Sequence, residues 1–261
     1  MSDSFPSPIR GFLIDLDGVI YIDDDVIPGA AESIQYLKEN HIPCRFLTNT
    51  TIQSLGNLYK KVQRLHLPIE KDEIISPPAA AVRYLRKQKN PSCHLVIMEE
   101  TREDFAEFRE TDDHPDYVVI GKIGDRWNYS LMNQLFSMLV EGASLIALHK
   151  DRCTMKKTGL HIEFGAFVAG LEYASGKQAY VVGKPSPAFF QSALDDMGLA
   201  PEEVVMIGDD ILSDVSGAQN VGMRGFLVQT GKYNKDWAKS SSIQPDQIIP
   251  SIAEIPNLLE A

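Results

Sequence analysis

Four polar groups stand directly behind short apolar runs in this 261-residue chain. Asp15 and Asp17 follow Phe12-Leu13-Ile14, and Thr48 and Asn49 follow Phe46-Leu47. Lys184 follows Tyr180-Val181-Val182-Gly183. Asp209 and Asp210 follow Val204 to Gly208, with Asp214 five residues beyond Asp209. Taken singly, each has a plain structural reading, because Asp and Asn close strands and cap helices. Brought into one crevice, the carboxylates would repel by about 4 kcal/mol per pair at a separation of about 4 Å and an effective dielectric of about 20. Such a group needs a cation. Carboxylate oxygens with water and substrate phosphate are the habitual ligands of Mg²⁺, and Lys184 adds further positive charge. The chemistry suggested is that of a phosphoryl group held beside a metal ion.

The elements that must position these residues are read from periodicity. Phe12-Leu13-Ile14, Ile42 to Leu47, Tyr180 to Val182, Val204 to Ile207 and Gly225 to Val228 read as buried strands. Between them, Ala30, Ile34 and Leu37 recur at helical spacing, as do Leu55, Leu58, Val62 and Leu65. Ser186-Pro187 opens another helix with Ser as N-cap and Pro in the first helical position. Ser213 to Val221 and Ile252 to Leu259 are the remaining helices of this part. Strand–helix alternation predicts an α/β fold, a doubly wound parallel-sheet (Rossmann-like) core covered by helices. In such a sheet, ligands bind outside the carboxyl ends of the strands, so all four polar groups are expected at one edge.

The middle of the chain reads as a separate unit. Pro77-Pro78 is taken as the break. A helix at Ala79 to Lys87 follows, then strands at His94 to Met98, Tyr117 to Ile120 and Ser144 to Leu148. A helix runs through Leu131, Leu135, Met138 and Leu139, Arg152 to Phe164 forms a hairpin with its turn at Lys156 to Gly159, and Gly165 to Ser175 is a helix. The expected organisation is a discontinuous core over 1–78 and 180–261, with an α/β cap domain inserted at 79–179.

Composition bounds the class of function. Hydrophobic residues make up 44% of the chain, enough for a substantial core, and the formal net charge is −11. That balance argues against nucleic acid or a membrane surface as partner, since both are polyanions. Cys44, Cys93 and Cys153 form no CxxC pair, and their odd number argues against a disulfide framework. Met1 to Pro8 carries neither a basic flank nor an apolar run, and no apolar stretch is long enough to span a bilayer. A cytoplasmic location is the expectation.

Asp15-Leu16-Asp17-Gly18-Val19, Leu47-Thr48-Asn49, Gly183-Lys184-Pro185 and Gly208-Asp209-Asp210 with Asp214 resemble, in order, the four motifs of the haloacid-dehalogenase-like phosphatases. The insertion between the second and third motifs resembles that superfamily's C2-type cap. Leu171-Glu172-Tyr173-Ala174, Val182 to Pro187 and Met206 to Ile211 are most similar to the branch of the phospholysine phosphohistidine inorganic pyrophosphate phosphatases. Asp17 departs from that branch, whose animal members carry Ser there. The resemblance implies a Mg²⁺-dependent phosphatase that hydrolyses a small phosphorylated metabolite through an aspartyl-phosphate. It makes Asp15 the nucleophile and Asp17 the general acid and base. Asp15, the Asp17 backbone carbonyl and Asp209 would hold Mg²⁺, while Thr48, Asn49 and Lys184 bind the phosphoryl group. Asp214 and Asp210 stand behind these, Asp210 with a helix-cap role as its alternative. His161, Glu163 and Phe164 lie where the family's substrate-specificity loop would fall, and caps of this type suggest a homodimer.

Other groups weigh less. Asp23-Asp24-Asp25 reads as a solvated loop rather than a metal site. Lys150, Arg152, Lys156 and Lys157 form a basic patch, either steering an anionic substrate or simply solvated. Two further readings of the whole stay open. One is a phosphotransferase or phosphomutase using the same Asp15. The other is a catalytically silent phosphate-binding regulatory protein, against which the retention of Asp17 speaks.

Overall fold

A computed structural model describes residues 8–156 and 159–260. The chain forms two compact units, one built from residues 1–48, 58–75 and 184–261, the other from 49–57 and 76–183.

The first unit is organised on a six-stranded parallel sheet. Its order is Gln247–Ile249, Arg224–Val228, Val204–Gly208, Gly11–Asp15, Cys44–Leu47 and Ile74–Ile75. The strands Gly11–Asp15 and Val204–Gly208 are central and buried along their whole length. Burial of successive residues, which point to opposite faces, means that both faces of the sheet are covered. This explains why the strands read as unbroken apolar runs rather than as alternation. In register, Ile14 pairs with both Ile207 and Phe46, so Asp15, Leu47 and Gly208 end their strands side by side.

Helices follow several of the strands. Pro187–Met197 starts at Pro187, whose missing N–H is no loss there, and buries Phe189, Phe190, Ala193 and Leu194. After Asp210 the chain does not form the single helix expected over Ser213 to Val221. It makes a π-helical turn, Ile211–Ser216, and then a short helix, Gly217–Gln219.

The second unit has its own five-stranded parallel sheet. The order is Tyr180–Val181, Ser144–Ala147, Tyr117–Ile120, Ser92–Val96 and Arg109–Glu110. Here two sequence expectations need correction. Tyr180–Val181, expected in the sheet that carries Asp15, pairs instead with Ser144–Ala147 at the edge of the second unit's sheet. The helix expected from Ala79 begins at Pro77 instead, as Pro77–Arg86 with Ser76 Oγ accepting from the Ala79 N–H at the cap, and the second unit begins at Ser76, just before the expected break. Proline is tolerated there because first-turn N–H groups have no intrahelical acceptor. Cys153–Lys156 and Gly159–Ile162 pair antiparallel as the expected hairpin, and Lys157-Thr158 of its turn lie outside the described residues. Among the described residues, no helix is long and apolar enough to cross a membrane.

Candidate active site

The site grows from the carboxyl ends of the first unit's central strands. Asp15 is the last residue of Gly11–Asp15 and is 5% exposed. Beyond it the chain turns back sharply, with Gly18 N–H donating to the Tyr21 carbonyl at 2.7 Å. Gly18 has φ +90°, a conformation that side chains with a Cβ rarely adopt. This turn leaves Asp17 exposed beside the buried Asp15. Thr48, one residue past its strand and 1% exposed, donates from Oγ1 to Asp17 Oδ2 at 3.2 Å.

Lys184 does not leave a strand of this sheet, yet it reaches the same place. Its Nζ donates to Asp15 Oδ1 at 2.6 Å and lies 2.6 Å from Asp214 Oδ1. Lys184 is 2% exposed and Asp214 fully buried. Asp214 Oδ2 in turn accepts the Asp210 N–H at 3.1 Å. Gly208 permits this approach, because a Cβ there would strike the Asp214 carboxylate. Asp210 turns away from the group. Its Oδ1 caps the following turn by accepting from Leu212 and Ser213 N–H at 2.9 and 3.1 Å, and its Oδ2 lies 3.4 Å from Lys232 Nζ.

Asp15, Asp209 and Asp214 each offer a carboxylate oxygen, and the three lie within 4.8 Å of one another. One ammonium to three carboxylates leaves two negative charges without compensation, which matches a divalent cation. Asp209 is 3% exposed. Its Oδ2 accepts the Lys232 N–H at 2.8 Å, whereas Oδ1 is buried without a hydrogen-bond partner. A buried carboxylate oxygen is costly to leave unpaired, and a Mg²⁺ ion is the kind of partner it lacks. The donors are all hard oxygens, the set Mg²⁺ prefers.

The electrostatics carry the same message. Burial raises the Asp15 carboxyl well above its ordinary range, against the pull of Lys184 and with Asp214 and Asp209 adding to the rise. Burial likewise pushes Asp209 up to about 6, opposed by the Lys232 N–H. Lys184 would be lowered by burial, but Asp15 and Asp214 outweigh this and hold it firmly charged. Burial alone would raise Asp210. The Lys232 ammonium and the two capping N–H donors overcome it and keep that carboxyl low.

Asp15, Asp17, Thr48, Lys184, Asp209, Asp210 and Asp214 therefore all belong to the first unit. Asn49 belongs to the second, where the absence of a side chain on Gly183 leaves room for its Oδ1. Glu163, also in the second unit, accepts from Lys122 Nζ at 2.6 Å, and Phe164 meets His149 edge to face. Lys150 of the basic patch is paired with Glu172. Asp24 pairs with Arg64 on the surface of the first unit. Sequence reading missed the segment Thr230-Gly231-Lys232, which touches Asp209 and the Gly18 turn. It follows the strand Arg224–Val228, so the strand-end rule that selected the other groups applies to it as well.

The family model described as haloacid dehalogenase-like hydrolase matches residues 12–111, and a HAD-hydrolase-like model matches 181–255. The chain is 44% identical over 225 residues to haloacid dehalogenase-like hydrolase domain-containing protein 2 of Bos taurus, covering 86% of each chain. It belongs to the haloacid dehalogenase-like hydrolases. Within that family it is also 36% identical to the phospholysine phosphohistidine inorganic pyrophosphate phosphatase of Bos taurus, over 96% of this chain and 94% of that one. Among solved structures, the p-nitrophenyl phosphatase from Archaeoglobus fulgidus superposes with a TM-score of 0.86 at 27% identity, over 96% of this chain and 99% of that one. The relatives it matches within the haloacid dehalogenase-like family thus include named phosphatases.

Proposed function

We propose that this protein is a Mg²⁺-dependent phosphatase that hydrolyses a small phosphorylated metabolite through an aspartyl-phosphate on Asp15. The observation that carries the reading is the buried group of Asp15, Asp209 and Asp214 around one ammonium, with Asp209 Oδ1 unpartnered. When bound by Asp15, Asp209 and the Asp17 carbonyl, Mg²⁺ offsets charge on the phosphoryl oxygens and orients them.

The residues divide the remaining work. The Asp15 carboxylate attacks phosphorus as the bond to the leaving oxygen breaks, which splits one hard transfer into two easier ones. Lys184 holds Asp15 in place and adds positive charge where the phosphoryl oxygens gather, and the Thr48 hydroxyl completes the cradle. Asp17, exposed beside the buried nucleophile, gives its proton to the departing oxygen. It then takes a proton from the water that attacks phosphorus, releasing phosphate and restoring Asp15. Selection among leaving groups falls to residues outside this cluster. The resemblance points to Arg152 to Phe164, and to small phosphomonoesters as the substrate class.

Incubation with beryllofluoride or substrate, followed by peptide mapping, tests the proposal. Label should be trapped on Asp15, and Asp15→Asn should fold but show no turnover. Turnover retained in a clean Asp15→Asn preparation would refute the mechanism.

A further inference from the structure

The segment after the strand Arg224–Val228 does two things at once. Thr230 Oγ1 donates to the Gly18 carbonyl at 2.6 Å. Two residues on, the Lys232 N–H donates to Asp209 Oδ2 at 2.8 Å. Between them, Gly231 packs directly on the turn. A Cβ on Gly231 would come within 2.7 Å of Gly18 Cα, and a Cβ on Gly18 within 3.1 Å of Gly231 Cα. Either Cβ would also strike Asp209 Oδ2. Both glycines have positive φ, +90° and +60°. Asp209 Oδ2 is thus gripped between two backbones that approach as closely as only glycine allows.

We propose that Thr230 and Gly231 are positioning residues that fix the Asp209 carboxylate and tie it to the Asp17-Gly18 turn. With Oδ2 held by the Lys232 N–H and packed against both glycines, rotation of the carboxylate is restricted, and Oδ1 stays buried without a hydrogen-bond partner. The Thr230 hydroxyl holds the Gly18 carbonyl, which is one residue beyond the Asp17 carbonyl in the same turn. One loop therefore sets the spacing between two groups assigned to the metal. Supporting bonds of this kind tune metal affinity without touching the ion. The inference rests on the reading of Asp209 as a Mg²⁺ ligand.

Isothermal titration of the full-length protein with Mg²⁺, in the absence of substrate, tests it. Thr230→Val removes the hydroxyl and keeps the shape, and should weaken Mg²⁺ binding roughly threefold to tenfold, the size of one lost hydrogen bond. Thr230→Ser should restore near wild-type binding, which a merely space-filling role would not predict. At saturating Mg²⁺ the kcat of Thr230→Val should return towards wild type, because the defect lies in metal positioning. Gly231→Ala probes the same clamp without the hydroxyl and should weaken binding further. Asp209→Asn is the control for the underlying reading and should lose Mg²⁺ binding almost completely. Wild-type affinity in Thr230→Val and Gly231→Ala, with binding lost in Asp209→Asn, would overturn the clamp alone. A Thr230→Ser variant as weak as Thr230→Val would also overturn it. Undiminished binding in Asp209→Asn would overturn the metal assignment itself, and the clamp with it.

Discussion

The ammonium of Lys184 donates to the Asp15 carboxylate at 2.6 Å, and neither residue is more than 5% exposed. A buried pair of this kind is costly to break, because the group left behind keeps its charge and loses its partner. Lys184→Met should therefore destabilise the metal-free protein by roughly 3 kcal/mol and reduce turnover by at least about a hundredfold. Mg²⁺ should recover part of the lost stability, since it too compensates Asp15. Denaturant unfolding with and without Mg²⁺ measures this. Equal stability of mutant and wild type without metal would remove the ion pair as a structural element.

Metal removal should act on stability as well as on rate. EDTA should abolish activity and Mg²⁺ restore it. Saturation at about 100 times the dissociation constant should stabilise the folded chain by about 2.7 kcal/mol. Ca²⁺ should bind yet support little turnover, because its larger and looser coordination shell aligns the attack poorly. Full activity after exhaustive chelation would contradict the role given to the three carboxylates.

Asp17 is assigned two proton transfers that matter for different substrates. An alkoxide needs a proton as it departs, whereas nitrophenolate leaves readily without one. Every substrate gives the same aspartyl-phosphate, so the second transfer matters for all. Asp17→Asn should show a burst near one equivalent with nitrophenyl phosphate and then stall. With an alkyl phosphate it should barely start. Each loss should be on the order of 10²–10⁴ in rate. Equal slowing of the burst for both leaving groups would show that Asp17 is not the acid.

The second unit carries a separate pH dependence. His149 is buried, its Nδ1 accepts the Asp151 N–H at 3.4 Å, and its ring meets Phe164 edge to face. Burial lowers its pKa to about 4, with Glu163 pulling weakly the other way. The unfolded chain, with an ordinary imidazole near 6.5, binds the proton first. This group's contribution to stability is therefore whole above about pH 6.5 and is lost as pH falls towards 4. The loss between pH 7 and pH 5 should be about 2 kcal/mol. His149→Asn should flatten that part of the stability–pH curve. An unchanged slope in the variant would assign the acid sensitivity elsewhere.

Much of the site was legible without coordinates because its signals are local. An unbroken apolar run followed at once by a carboxylate marks the end of a buried parallel strand, and it placed Asp15, Thr48 and Asp209 at one edge. Side-chain type then limited the chemistry, since clustered carboxylates require a cation. Tertiary structure alone decided which sheet each strand joined. Tyr180–Val181 is as apolar as a core strand, but pairing depends on a distant partner, and that partner is Ser144–Ala147 in the other sheet. It also decided how Lys184 reaches Asp15 without a strand of its own sheet behind it. The hold on Asp209 was hidden for a different reason. It uses a backbone N–H, which every residue except proline has, and a Thr230–Gly18 bond spanning 212 positions. Composition and periodicity register which side chains are present, whereas a backbone donor acquires meaning only when the fold brings an acceptor to it.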